Sequence, residues 1–317
     1  MKAIEIVPYN PDWPKQFEIE AAKIKESLGD NCIAIYHIGS TSVPGLAAKP
    51  KIDIIVVVKD PASTITSLEA IGIQYKGEYN IPLHYGFSRR GDVDLNLHVY
   101  EDGNPEIELN LCFRDYLRKN AVARDEYMAL KQNLLQEEDV SCKKSSSMFS
   151  EYTLGKDVFI RTILRQAGFN RLRFLKCTHY GEWNVARQFR QTYFFDKVPV
   201  SDPYEWTFKH PEHEHEHVVL YQGTEIIGYA HIQFWKEYRS AIRIIVIDET
   251  KRNQGFGRYF VALIEKWLKA QGYKSIHIES SPESLQFYKC QGYSEMPFND
   301  PDGYKNDSRD ISLGKYL

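Results

Sequence analysis

The segment AIRIIVIDETKRNQGFGRYFVALIEKWLKAQG, residues 241–272, constrains this chain more than any other. A β-branched run leads to Asp248, a basic turn follows with Gly255 and Gly257, and an amphipathic pattern then continues to Gly272. A strand that passes through a short glycine turn straight into a helix belongs to an α/β (α+β) layer architecture. Glycines in the first turn let the backbone approach a ligand closely. Free amides and the positive end of the helix suit a phosphate there.

A second strand–turn–strand lies in the first half: CIAIYHIG, STSVPGLAAKP and KIDIIVVV, within residues 31–60. Helices are expected over 14–28, opening after Pro14, and over 61–71, ending at Gly72. VDLNLHVY (93–100) alternates like a half-buried strand, and residues 105–139 carry helical spacing. The serine-rich SCKKSSSMFSE (141–151) reads as a loop, because DVFIRTILRQAG (157–168) forms one more helix. Gly168-Phe169-Asn170 is the expected boundary, giving domains 1–168 and 169–317. The second half then reads as strand 171–178, helices over 181–208, and hairpin strands 217–222 and 225–234 around QGTE. Strand 241–248, helix 254–271, strand 274–280, helix 282–291 and strand 309–316 complete it, with no repeat of fixed period.

A chain of 317 residues accommodates two cores. A formal net charge of -3 gives no reason to propose a nucleic-acid or membrane partner. Apolar runs stay short of a membrane span, and the start MKAIEIVPYNPDWPKQF lacks the apolar core of a signal peptide. Five scattered cysteines, odd in number and never in a CxxC pair, point to reduced thiols and a cytoplasmic location. Nothing in the pattern sets an oligomeric state.

Ile247, Arg252, Gly255 and Gly257 spell I-x-x-x-x-R-x-x-G-x-G, and SIHIESSPESLQFYKCQGY follows with Tyr288, Gly292 and Tyr293. Together they resemble the GNAT acetyltransferases over roughly 170–317, which implies acetyl-CoA and a mostly antiparallel, splayed sheet. The resemblance implies that amides of Asn253, Gln254, Gly255, Phe256, Gly257 and Arg258 hold the pyrophosphate, after Arg252. Ile245 and Ile247 would pair main chain with the pantetheine, and Tyr288 would protonate the leaving thiolate. Phe287 beside it is expected in the core. Where some members carry a glutamate, this chain has Ala241. Asp248 is expected to face away, which leaves Glu279, His231 or a water as general base.

YHIGSTSVPGLAAKPKIDIIVVV, LNLHVY, LCFRDYLRKN and the closing K-x-x-F-I-x-x-I-L-x-x-A-G (Lys156 to Gly168) resemble the GrpB-like family over 3–168. That family resembles the nucleotidyltransferase superfamily, implying a mixed sheet with helices, a Gly-Ser turn under phosphates and carboxylates for Mg2+. Gly39, Ser40, Thr41 and Ser42 would meet phosphate, with Lys49 and Lys51 supplying charge. Asp53 is the candidate Mg2+ ligand, Asp94 a further carboxylate, and His98 the histidine kept in the later strand. The D-x-D pattern is broken by Lys51. GrpB-like domains also occur joined to dephospho-CoA kinase.

Three functions follow. The first is an N-acetyltransferase acting on a small-molecule or peptide amine, beside a nucleotide- or phosphate-binding half. The second is a bifunctional enzyme with N-terminal nucleotidyl transfer, and the third a non-catalytic sensor of CoA or nucleotide. Asp202, Glu205, Asp300, Asp302 and Asp307, in loops expected to bind the acceptor, would favour a cationic amine. In KHPEHEHEHVV (209–219), His213, His215 and His217 share one face if extended. Ligands along one strand rarely close a tetrahedron. The run, from His210 to His217, is therefore read as a strand's polar lead-in or wet face, titrating near neutral pH beside the acceptor.

Overall fold

The computed structural model describes residues 5–140, 150–196, 201–209, 214–303 and 308–317. It forms two compact units, Met1–Arg173 and Phe174–Leu317. The serine-rich loop over 141–149, His210, His213 and Asp307 lie outside the described residues.

In the first unit, α1 (Trp13–Leu28), β1 (Cys32–Ile38) and β2 (Lys51–Val58) precede α2 (Thr64–Ala70). β3 (Gln74–Gly77), β4 (Tyr85–Arg89), β5 (Asp94–Glu101), α3 (Pro105–Lys119), α4 (Ala121–Val140), α5 (Glu151–Leu154) and α6 (Asp157–Gln166) follow. The sheet runs β1-β2-β5-β4-β3. Only β2 and β5 are parallel; the other pairs are antiparallel. β2 is apolar almost throughout because it is central and covered on both faces. Ile52, Ile54 and Val56 join Trp13, Phe17 and Ile24 of α1, while Ile55 and Val57 pack with Ile38 and Tyr100. β3 and β4 carry too many turn and polar residues for the sequence pattern to show them as strands. The helical stretch after Asn104 divides at Asn120, whose backbone turns extended at φ -124°, ψ 100°.

The second unit begins with β6 (Leu172–Lys176) and α7 (Tyr180–Arg190), a π-helical turn at Gln191–Phe195 and a 3-10 turn at Glu205–Phe208. β7 (His215–Gln222), β8 (Glu225–Trp235), β9 (Arg239–Ile247), α8 (Phe256–Ala270), β10 (Ser275–Ser280), α9 (Leu285–Lys289), β11 (Ser294–Glu295) and β12 (Ile311–Tyr316) complete it. The sheet order is β11-β12-β10-β9-β8-β7-β6. β9 pairs antiparallel with β8 and parallel with β10, and β10 pairs antiparallel with β12.

Two features open this sheet. The β8–β9 register slips at Arg243, between the His231–Ile244 and Ile232–Ile242 pairs, so the strand bends there. β10 pairs with β9 only through Arg239–Ile242, and beyond that rung the two strands part. On one face, α8 buries Phe260, Val261, Ile264, Trp267 and Leu268.

Candidate functional site

The turn after β9 is built to expose amides. The Asp248 carboxylate accepts from Thr250 N at 2.9 Å and from the Tyr193 hydroxyl at 3.2 Å, which caps the strand end. Asn253 (φ 63°) and Gly255 (φ 84°) then adopt left-handed backbone. The first bond inside α8 runs from Tyr259 N to Gly255 O at 3.1 Å. The amides of Phe256, Gly257 and Arg258 therefore have no partner within the helix, at its positive end. A Cβ at Gly257 would lie 3.4 Å from the Phe287 ring, an ordinary van der Waals contact. Arg252 is a brace: its Nε donates to Ile247 O at 3.0 Å and its guanidinium lies 5.0 Å from the Tyr193 ring. This turn fits a pyrophosphate, through amides rather than through Arg252.

Beside the turn, the parting of β9 and β10 leaves Ile245 and Ile247 paired to β8 through Ala230 and Gly228, on the open stretch of β9. Glu279 follows Ile278, the last β10 residue opposite β9. Its Oε2 is buried and takes no hydrogen bond. Burial pushes its carboxyl above the usual range; Asp310 and Asp300 act the same way, and Arg243 opposes them. Tyr288 is buried at 6% exposure, edge-on to Phe287 and Tyr293, and burial raises its phenol. Phe287 is not core as expected but 39% exposed. The short α9 turns Tyr288 inward and lays its neighbour over Gly257.

The histidine run corrects a second expectation. His215 and His217 point inward, 5% and 1% exposed, and His217 stands opposite the fully buried His231. The rings of His217 and His231 stack 4.6 Å apart at 11°. The Thr207 hydroxyl donates to Tyr204 O at 2.6 Å, so it accepts from His217 Nε2 at 2.8 Å. His217 Nδ1 then accepts from the Tyr229 hydroxyl at 2.7 Å. Arg190 Nη1 donates to His231 Nδ1 at 3.0 Å, leaving His231 Nε2–H for His215 Nδ1 at 2.9 Å. Burial and the Arg190 charge hold His217 and His231 well below the usual imidazole pKa, so neither titrates near neutrality. The strand's polar face was turned inward because Arg190 of α7, Thr207 of the 3-10 turn and Tyr229 of β8 bring partners to His231 and His217, and His231 bonds His215. Among the described residues, no group of three or more His, Cys, Asp or Glu side chains could hold a metal.

Most of the expected acceptor carboxylates are engaged. Asp202 pairs with Arg190, with Nη2 donating to Oδ1 at 2.6 Å. Asp300 takes two bonds from Arg243, at 2.7 and 2.5 Å. Asp302 accepts from the Tyr204 hydroxyl at 3.0 Å and Gln233 Nε2 at 2.9 Å. Glu205 is exposed. The charge that this set would offer a cationic amine is largely cancelled by the two arginines.

In the first unit, Gly39 lies at φ 67° and a Cβ there would meet Asp53 Oδ2 at 2.5 Å, so only glycine fits. Two of the expected phosphate hydroxyls are already used. Thr41 Oγ1 donates to Lys51 O at 3.2 Å beside His37, and Ser42 Oγ donates to Gly39 O at 2.6 Å. Ser40 Oγ accepts from Lys131 Nζ at 3.3 Å. Lys49 and Lys156 place their ammonium groups 4.4 and 4.6 Å from the Tyr152 ring centre.

The parallel register sets Lys51 opposite Asp94, Asp53 opposite Asn96 and Ile55 opposite His98. Asp94 accepts from Gly91 N at 3.2 Å and lies 3.9 Å from Arg90. His98 meets His84, Nδ1 to Nε2, at 3.0 Å, and burial lowers it to about 4. Asp53 thus has an amide, not a carboxylate, as its neighbour, with Lys51 and Lys156 acting on its charge. The residues present do not fit the expected Mg2+ site. Lys131 and Tyr152 escaped the sequence reading because buried lysines and tyrosines on helices look like ordinary amphipathic positions; Lys156 stood in the closing motif without a role.

The GrpB protein family model matches residues 3–166, and the acetyltransferase (GNAT) family model matches residues 182–293. A UPF0157 protein of Halalkalibacterium halodurans is 42% identical over 139 residues, which is 43% of this chain and 71% of that protein. The UPF0157 protein YqkA of Bacillus subtilis is 37% identical over 165 residues, 51% of this chain but only 46% of YqkA. The crystal structure of the conserved protein GrpB from Enterococcus faecalis is 36% identical, covering 51% of this chain and 96% of that one, with a TM-score of 0.46. The chain belongs to the GrpB family through its first half and carries a GNAT acetyltransferase domain in its second.

Proposed function

We propose that the chain is an acetyl-CoA-dependent N-acetyltransferase acting on an amine of a small molecule or peptide. The observation that carries this reading is the set of unpartnered amides of Phe256, Gly257 and Arg258, at the mouth of the opening between β9 and β10. In this reading Asn253 to Arg258 hold the pyrophosphate, and the main chain of Ile245 and Ile247 holds the pantetheine arm. Acetyl-CoA, when bound, supplies the thioester. Glu279 takes the proton from the attacking amine, since its unpartnered Oε2 lies where the strands part and burial, by raising its pKa, makes it a stronger base than an exposed carboxylate. His231 is a poorer base: one ring nitrogen receives Arg190 and the other donates to His215. Tyr288 stays protonated at neutral pH and donates to the departing thiolate.

The domains 1–168 and 169–317 act in this reading as separate units, the first binding a phosphate-bearing ligand at Gly39, Ser40, Lys49 and Lys51. A lone carboxylate at Asp53 argues against two-metal nucleotidyl transfer. Free Cys32, Cys112, Cys177 and Cys290 favour a cytoplasmic setting, and no helix among the described residues is long and apolar enough to cross a membrane.

Thiol release from acetyl-CoA, followed with spermidine, kanamycin and a peptide with a free N-terminus, tests the activity. An amine that raises release above hydrolysis, with its acetylated product seen by mass spectrometry, supports the reading. Tight CoA binding with no turnover on any amine would favour the sensor instead. A chain that does not bind CoA sinks both.

A further inference from the structure

The Gly39–Ser42 turn sits in an excess of positive charge. Lys131, 3% exposed, reaches Ser40 Oγ at 3.3 Å and Ala47 O at 2.5 Å from α4. Lys156 comes from the start of α6 and Lys49 from the loop before β2, on the same Tyr152 ring. Behind the turn, Arg118 donates to Ser42 O at 2.9 and 2.7 Å, and Arg114 to His37 O at 3.0 Å. The carboxylate acting on Lys156 is Asp53, already bonded by Asn96.

Asp115 lies 2.7 Å from Arg114 and 3.8 Å from Arg118, so the cost of the cluster falls on gathering the three lysines. Lys156 is the N-cap of α6, where the helix dipole disfavours a cation. Burial pushes both Lys131 and Lys156 down to about 8; Lys156 adds to the effect on Lys131, and Lys49 to that on Lys156. Ser40, Lys49, Asp53 and Lys156 are half-buried rather than sealed, so a ligand can reach them.

We propose that Lys49, Lys131 and Lys156 take the place of a divalent cation at this turn and bind a phosphate-bearing ligand, nucleotide or pyrophosphate, without metal. The proposal rests on the reading that the first half binds phosphate, and adds the residues that do so and the independence from Mg2+. Phosphate oxygens can accept from the lysine ammonium groups and the Ser40 hydroxyl together.

The full chain is titrated with inorganic pyrophosphate and with ATP, each in EDTA and in millimolar Mg2+, and again as Lys156→Met and Lys156→Arg. Acetic anhydride labelling read by mass spectrometry locates the ligand by the lysines it protects, which separates this site from the cradle before α8. Binding in EDTA, not tightened by Mg2+, with Lys49 and Lys156 protected, is expected. Lys156→Met should weaken it about tenfold or more, and Lys156→Arg less. Pyrophosphate binding as well as ATP assigns recognition to the phosphates; ATP alone adds the nucleoside, and both support the proposal. Protection at these lysines that requires Mg2+, or survives Lys156→Met unchanged, overturns it and leaves the phosphate reading standing. No protection by either ligand in either buffer overturns both.

Discussion

Asp53 and Asn96 stand opposite each other across the parallel β2–β5 pair, and the Asn96 amide donates to Asp53 Oδ1 at 2.8 Å. An amide where a second carboxylate would complete a metal pair decides the chemistry open to this half. Asn96→Asp should therefore create what the native chain lacks. In EDTA the variant should lose about 1–3 kcal/mol, as two half-buried carboxylates repel and a hydrogen bond disappears. Millimolar Mn2+ should restore the loss in the variant and leave the native melting temperature unmoved. A native chain stabilised as strongly by Mn2+ contradicts the single-carboxylate reading.

The two glycines of the C-terminal turn should fail differently. Gly255 is left-handed with open space around it, so Gly255→Ala should cost about 1–2 kcal/mol in stability. Gly257 has ordinary backbone but lies against Phe287. Gly257→Ala should keep stability within about 0.5 kcal/mol while weakening CoA binding roughly tenfold. Denaturant melts and CoA titrations on both variants check the contrast.

Tyr288→Phe removes only a hydroxyl from a buried ring. The rate with a saturating amine should fall about 100-fold, with CoA affinity within about twofold of native. An equal loss in CoA affinity would make Tyr288 a packing residue.

Glu279 carries opposite signs for stability and rate. Its folded pKa is raised, so the native state binds the proton more tightly. The stability this gives is present below the unfolded pKa and lost as pH rises through the folded one. Glu279→Gln should thus equal the native chain in stability near pH 4 and exceed it at pH 8. Its turnover should fall about 100-fold or more and lose the native rise of rate with pH. Melts and pH–rate profiles on the same samples read both.

The buried imidazoles should make the chain acid-labile. His37 is lowered to about 4 and His84 to about 3, chiefly by burial, with Arg118 or His98 adding to it. The unfolded chain binds their protons first, so their stabilisation is full above pH 6.5 and shrinks as pH falls toward the folded values. Each should remove about 1.4 kcal/mol per pH unit below 6.5. Urea unfolding at pH 7, 6 and 5 measures the slope, and His37→Gln should flatten it.

Strand, turn and helix around β9, and the β1–turn–β2 unit, were legible because local periodicity and glycine placement carry them. The glycine turn before α8 was legible for the same reason: its amides come from consecutive residues. β3 and β4 were not, since only pairing with β5 makes strands of such polar segments. His215 and His217 show the same divide. Their alternation told that they share a face, but partners from Tyr229, His231, Thr207 and Arg190 decided that the face points inward. The sequence by itself determined two α/β halves, each with a glycine turn after a strand, because those signals lie within a few residues. Only the tertiary structure decided which groups meet at each turn. Asn96 opposite Asp53, Lys131 beside Ser40, and Glu279 where two strands part are contacts between residues far apart in the chain, and register and packing alone bring them together.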